Sequence, residues 1–223
     1  VLAGVRRLSE QMEDLANNKN SFRIGVPPMT GTIVFHKMYC AFTKAYPDIT
    51  MRITETGSVY SRKLLEDDSL DIAMAAICEE PDPWFQFMRL FESKLMFCVC
   101  PNHPLANAKE IDLPTLEKEP IILFREDSVP AQTVLRSYQK IGISPNVLMY
   151  FNQLSMIQQF IAGGTAGAFL LEEVARAEPG IIAIPLREPI IMDIVLLWPR
   201  NKYIYSNLAT FIEFARGYKE QWL

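Results

Sequence analysis

The sequence predicts an α/β protein in two lobes, each built on a parallel sheet. Three observations predict it. Residues 22–77 alternate short strands with amphipathic helices in a βαβαβ order, which implies parallel pairing with right-handed crossovers. A second series of similar size runs from 120 to 171. Apolar residues make up 49% of the chain, enough for a full core, yet no run reaches the roughly 18 residues that span a bilayer.

The elements follow in order. Residues 1–20 read as a helix, with Val5, Leu8, Met12 and Leu15 recurring at three- and four-residue steps. That is the seam of a short coiled coil, and Asn17-Asn18-Lys19-Asn20-Ser21 ends it. "FRIGV" (22–26) is a strand and Pro27-Pro28-Met29-Thr30-Gly31 a turn. A helix follows with Phe35, Met38, Tyr39, Phe42 and Tyr46 on one stripe. "YPDITMRITETGS" (46–58) is a turn, then an alternating strand, then small hydroxylated residues before a helix to about Asp67 with Leu64 and Leu65 inward. "LDIAMAAI" (70–77) is almost continuously apolar, the pattern of a strand covered on both faces. Separate strands are expected at Met88 to Phe91 and at "LMFCVCP" (95–101).

The second series has strand "PIILF" (120–124), helix Ala131 to Ile141 and strand Asn146 to Phe151. Helix Leu154 to Ala162 and strand Ala166 to Leu171 come next. A short helix (Glu172 to Ala177) leads to strands "IIAIP" and "IMDIVLLW". A last helix, Ser206 to Trp222, carries Leu208, Phe211, Ile212, Ala215 and Trp222 inward.

Charge and motifs narrow the function. The net charge of −4 comes without a dense basic run, so nothing in this piece alone suggests nucleic-acid binding. The start is too polar and periodic for a secretion signal. Cys40, Cys78, Cys98 and Cys100 each sit in an apolar stretch and form no C-x-x-C pair. They read as buried, reduced thiols of a cytoplasmic protein. His36 and His103 are the only histidines. No zinc-protease, nucleophile-elbow or phosphate-loop motif occurs, and no catalytic residue, metal or cofactor is expected. "AGGTAG" (162–167) follows a helix and precedes a strand, so it reads as a helix C-cap with positive φ. Glu55 and the Cys98/Cys100 pair are the weak candidates for a base and a redox sensor.

Binding signals are better. In an open α/β sheet, ligands settle at the carboxyl ends of parallel strands. Those ends are Pro28-Met29-Thr30, Thr56-Gly57-Ser58, the stretch from Arg125 through Pro130, Ala131, Gln132 and Thr133, and Asn152-Gln153. Each offers backbone N–H groups at a helix start plus polar side chains, so facing lobes form a small anion-binding cleft. Thr30, Ser58 and Thr133 also read as helix caps.

"FRIGVPP", "YPDITMRITETGS", "LLEDDSLDIAMA", "PNHPLA" and "FIAGGTAGAFLL", in this order, resemble the effector-binding part of LysR-type transcriptional regulators over nearly the whole chain from Phe22. Two positions depart from the family pattern: Glu172 stands where a proline is frequent, and Ser69 where a glycine is. The resemblance implies two Rossmann-like lobes joined by two crossover strands, as in type 2 periplasmic binding proteins. It implies a linker helix at 1–20, lobe I at 22–92 plus 194–223, and lobe II at 93–193. It implies an effector between the lobes, with Met29, Thr30, Ser58, Pro130, Ala131 and Gln132 at matching positions. Pro28, Phe91, Arg125, Asn152 and Phe169 complete the expected lining, with Arg125 the obvious counter-charge. Ser58 is expected both to cap its helix and to aim a donor into the cleft.

The partners implied are a small organic acid, a second copy of the chain in a homodimer or homotetramer paired through Val5, Leu8, Met12 and Leu15, and DNA. DNA would be bound only through an N-terminal helix-turn-helix domain outside this chain; no membrane is implied. "VPPMTGT" is similar to members that control acetoin, acetate or overflow metabolism, which implies an acetate- or pyruvate-like effector. A solute-binding receptor of a transport system is the alternative on the same fold.

Overall fold

The computed structural model describes residue 12 and residues 20–218. Nine strands form one sheet in the order β2-β1-β3-β9-β4-β7-β5-β6, with β8 attached to β4. They are β1 (Ser21–Val26), β2 (Thr50–Glu55), β3 (Ile72–Ile77), β4 (Phe85–Val99), β5 (Pro120–Phe124), β6 (Asn146–Phe151), β7 (Gly167–Leu171), β8 (Ile182–Pro185) and β9 (Ile191–Pro199). Strand β1 pairs in parallel with β2 and β3. Strand β5 pairs in parallel with β6 and β7. Each lobe is therefore a small parallel sheet, and the antiparallel strands β4 and β9 join the two.

Strand β3 is buried along its whole length. It lies between β1 and β9 and is covered on its faces by helices, which is why it reads as one apolar run. Helix α1 (Pro28–Thr30), a π-helical turn (Gly31–Phe35) and α2 (His36–Ala45) follow β1 without a break. Helices α2 and α7 (Ser206–Tyr218) pack over β1. Phe22, Phe42 and Phe211 form an aromatic cluster there, with centroids of Phe22 and Phe42 4.9 and 5.2 Å from Phe211. Met38 and Phe42 of the expected stripe are buried, whereas Tyr39 and Tyr46 keep more than a third of their surface in solvent.

The expected pair of strands around Met88–Phe91 and Leu95–Pro101 is a single 15-residue strand, β4. The polar interruption Glu92-Ser93-Lys94 resembles a break, but the strand runs straight through it and changes its pairing partners just after it. Phe85 to Lys94 pair with β9, and Leu95 to Val99 pair with β7 and β8. Its polar groups find partners at the start of α6 (Glu172–Ala177). Ser93 Oγ donates to Glu173 Oε2 at 2.5 Å, and Lys94 Nζ lies 3.4 Å from Glu172.

In lobe II, α4 (Val129–Lys140) and α5 (Leu154–Ala162) follow β5 and β6. Gly164, with φ +71°, ends α5, and Thr165 N–H donates to the Phe160 carbonyl. "AGGTAG" is thus the helix terminus its context predicts.

The thiols are less uniform than expected. Cys98 is buried, and burial pushes it up to about 12. Cys100 is half-buried, and Cys40 and Cys78 are exposed. Apolar neighbours in sequence placed them near the core, but Cys40 lies on the outer face of α2 and Cys78 just beyond the end of β3. Val5, Leu8, Leu15 and Trp222 lie outside the described residues; Met12 is helical and 65% exposed.

Candidate functional site between the lobes

The carboxyl ends of β1, β2, β5 and β6 open onto one cleft of about 340 Å³. From lobe I, Pro28 lies at the first helical position after β1. Glu55 ends β2, Thr56 and Gly57 follow it, and Tyr60 comes from the first turn of α3 (Ser58–Glu66). From lobe II, Phe124 ends β5, Arg125 and Asp127 follow, and Ser128 is the N-cap of α4. Asn152 lies just before α5.

The geometry follows from the parallel sheet. Each strand delivers its chain to the same edge, and each following helix starts there with its first backbone N–H groups lacking intrahelical acceptors. Helices α3, α4 and α5 therefore turn their positive ends toward this edge. At α4 one of these groups is satisfied locally: Ser128 Oγ accepts from Ala131 N–H at 3.3 Å.

The side-chain charges are mixed. Arg125 Nε lies 3.3 Å from Asp127 Oδ1, so this guanidinium is already paired. Glu55 forms no ion pair among the described residues. The lobes also touch beside the cleft. Cys78 Sγ of lobe I meets Thr133 Oγ1 of lobe II at 3.3 Å. A Cβ at Gly57 would stand 3.8 Å from the Asp127 carbonyl oxygen, so the two rims pass within van der Waals reach of each other here.

Of the residues expected to bind the effector, Pro28, Arg125 and Asn152 line this cleft, and so does Glu55, the weak candidate for a base. Met29 and Thr30 are buried, and Thr30 Oγ1 donates to the Pro27 carbonyl. Pro130 and Ala131 are buried on α4, and Gln132 is half-buried. Phe91 is buried in β4; Phe169 is buried in β7 against Phe97 with centroids 5.4 Å apart.

The helix caps differ from expectation. Gly57, not Ser58, is the N-cap of α3. Ser58 is 2% exposed, and its Oγ accepts from Ala76 N–H at the end of β3 at 3.1 Å. Thr133 is inside α4, donating to the Val129 carbonyl; Ser128 holds the cap position. Ser58→Ala is expected to leave the buried Ala76 N–H unpaired and cost about 1.5 kcal/mol, measurable by urea denaturation.

Thr56, Gly57, Asp127 and Ser128 lie in strand-end loops that the sequence points to, though not among the side chains expected to bind; Tyr60 and Phe124 are lining residues that sequence reasoning passed over. One signal was present for Tyr60: α3 buries Ser58, Ser61 and Leu65, so an aromatic at 60 falls off the buried stripe and faces the open edge.

Among the described residues no group of three or more His, Cys, Asp or Glu is placed to hold a metal ion. No helix among them is long and apolar enough to cross a membrane.

Two small parallel sheets joined by paired crossover strands, with helix starts around a shared cleft, define a type 2 periplasmic-binding-protein-like fold. The chain belongs to the LysR substrate binding domain family, whose model matches residues 16–219, and is thus an effector-binding domain of the LysR type. It is 30% identical over 203 residues to the uncharacterized HTH-type transcriptional regulator YwbI of Bacillus subtilis, covering 90% of this chain and 67% of that protein. It is 23% identical over 211 residues to the transcriptional dual regulator GltC of the same organism, covering 92% of this chain and 70% of that one. Among solved structures, the regulatory domain of Synechocystis PCC6803 CcmR in complex with 2-PG superposes with a TM-score of 0.81 at 18% identity, covering 90% of this chain and 97% of that one. The effector-binding domain of QuiR in complex with shikimate does so at 0.77 and 21% identity, with the same coverage.

Proposed function

We propose that this domain senses a small organic carboxylate, of the class that acetate and pyruvate represent, in the cleft between its lobes. The observation that carries the reading is the convergence of the α3, α4 and α5 starts and Arg125 on one cavity in a chain of this family. Helix starts present N–H donors and positive potential to an anion without further charged groups. A cavity of this size matches the low end of small-molecule sites. CcmR and QuiR carry their ligands, 2-PG and shikimate, on the same fold.

In this reading the lobes divide near 92–93 and 193–194, where β4 and β9 pass between them. The ligand favours one relative setting of the lobes, by no more than its difference in affinity for the two. That setting alters how subunits of a cytoplasmic homodimer or homotetramer are arranged, and so how an N-terminal helix-turn-helix domain meets DNA. The exposure of Met12 supports a partner for the seam Val5, Leu8, Met12 and Leu15.

Calorimetric titration with acetate, pyruvate, lactate, citrate, benzoate and the amino acids tests the reading. At least one carboxylate is expected to bind saturably. Arg125→Ala is expected to weaken it about tenfold by leaving Asp127 unpaired at the rim. Absence of saturable heat from every carboxylate would sink the proposal.

A further inference from the structure

We propose that the effector is an ampholyte, a small molecule carrying an ammonium group as well as its carboxylate: an amino acid or a close relative. The inference rests on the carboxylate-binding reading above and deepens it. The cleft's charged side chains are Glu55, Arg125 and Asp127. Arg125 and Asp127 already compensate each other at 3.3 Å, while Glu55 has no ion-pair partner among the described residues.

The cavity is therefore two-sided in charge. The helix starts favour an anion, and an uncompensated carboxylate at the end of β2 favours a cation. A plain acid such as acetate or pyruvate would meet the helix starts but bring a second negative charge beside Glu55, and like charges that share a site disfavour each other's ionised form. A plain amine would satisfy Glu55 and face three positive helix ends. One molecule with both groups satisfies both sides. Tyr60 at the rim supplies an aromatic face, which suits an ammonium group.

The sequence carries this arrangement in one short stretch. Glu55, Thr56 and Gly57 join β2 to α3, so the carboxylate and the helix start it opposes are three residues apart.

The test is calorimetric titration of the 223-residue chain with the twenty amino acids, with their 2-oxo and 2-hydroxy counterparts, and with amines lacking a carboxylate. The expected result is saturable binding of an amino acid, with its 2-oxo and 2-hydroxy counterparts at least tenfold weaker and the matching amine not bound. Glu55→Gln, an isosteric change at an exposed position, is expected to erase that preference. Asp127→Asn frees Arg125 and is expected to raise the affinity of the 2-oxo acid. An acid without an amino group that binds the parent as tightly as its amino counterpart would overturn the ampholyte and leave the carboxylate cleft standing. So would a preference that survives Glu55→Gln. Failure of every acid and every amino acid to bind would overturn both.

Discussion

Gly167→Ala is expected to lower the melting temperature by about 6–12 °C, the largest effect of a methyl group added at any glycine among the described residues. Gly167 opens β7 beside β4. A Cβ there would stand 2.3 and 2.6 Å from the Phe97 ring and 3.2 Å from the Cys98 carbonyl oxygen. Neither neighbour can retreat. The carbonyl is backbone of a strand paired on both sides, and Phe97 is fully buried against Phe169. Overpacking of a close-packed core costs about 3 kcal/mol in such a case, which in a protein of this size corresponds to the stated shift. Phe97→Leu in the same chain shortens the side chain that the methyl meets and is expected to recover part of the loss. Equal melting of the parent and Gly167→Ala would refute the packing account.

Asp71→Asn is expected to destabilise by about 3 kcal/mol and to remove a step in stability between pH 4 and 2. Asp71 is almost fully buried just before β3. It accepts from Arg23 N–H at 2.7 Å, Arg23 Nε at 3.1 Å and Arg23 Nη2 at 2.8 Å, with Lys202 Nζ at 3.4 Å. Burial pushes its carboxyl up, but the hydrogen bonds from the Arg23 side chain and backbone and from Tyr205 outweigh that and hold it at about 2. The folded value lies below the unfolded one of about 3.9. The stabilisation is therefore complete above pH 4 and is lost as pH falls through 2, a loss of about 2 kcal/mol. Asparagine sets an N–H donor against the Arg23 donors in a nearly buried site and leaves the partly exposed guanidinium without its counter-charge, which costs more than the linkage figure alone. Urea midpoints at pH 7, 4 and 2.5 check both statements. A parent whose stability does not fall between pH 4 and 2.5 would show that Asp71 is not held in its charged form.

Periodicity revealed most of the fold because each lobe obeys local rules. Strand β3 is buried along its length as its apolar run implies, and the last helix buries Leu208, Phe211, Ile212 and Ala215 as their spacing implies. β4 reads as two strands because its middle is polar, and the reason it is one lies elsewhere in the chain: Glu173 and Glu172, at the start of α6, satisfy Ser93 and Lys94.

The cleft was legible as a place, the shared edge of four strand ends, more than as a set of side chains. A strand end fixes which loop faces the cleft. It does not fix which residue of that loop turns outward. Ser58 shows the limit: a hydroxyl at a helix start reads as a cap or a ligand donor, yet here it is buried and accepts from the Ala76 N–H of β3. The Arg125–Asp127 pairing was equally hidden, since a lone arginine in sequence carries no sign of which carboxylate holds it.

The two crossover strands also set an order of assembly. Lobe I closes its sheet only when β9 arrives between β3 and β4, and Gln86 and Trp198, joined by a side-chain hydrogen bond, are 112 positions apart. Lobe II lies wholly inside that interval and pairs β5 with its near neighbours β6 and β7. During synthesis from the N-terminus, the second lobe can complete itself while the first waits with strand edges of β3 and β4 unpaired. The lobe made first is the lobe finished last, and its exposed edges are where a nascent chain of this kind is open to mispairing.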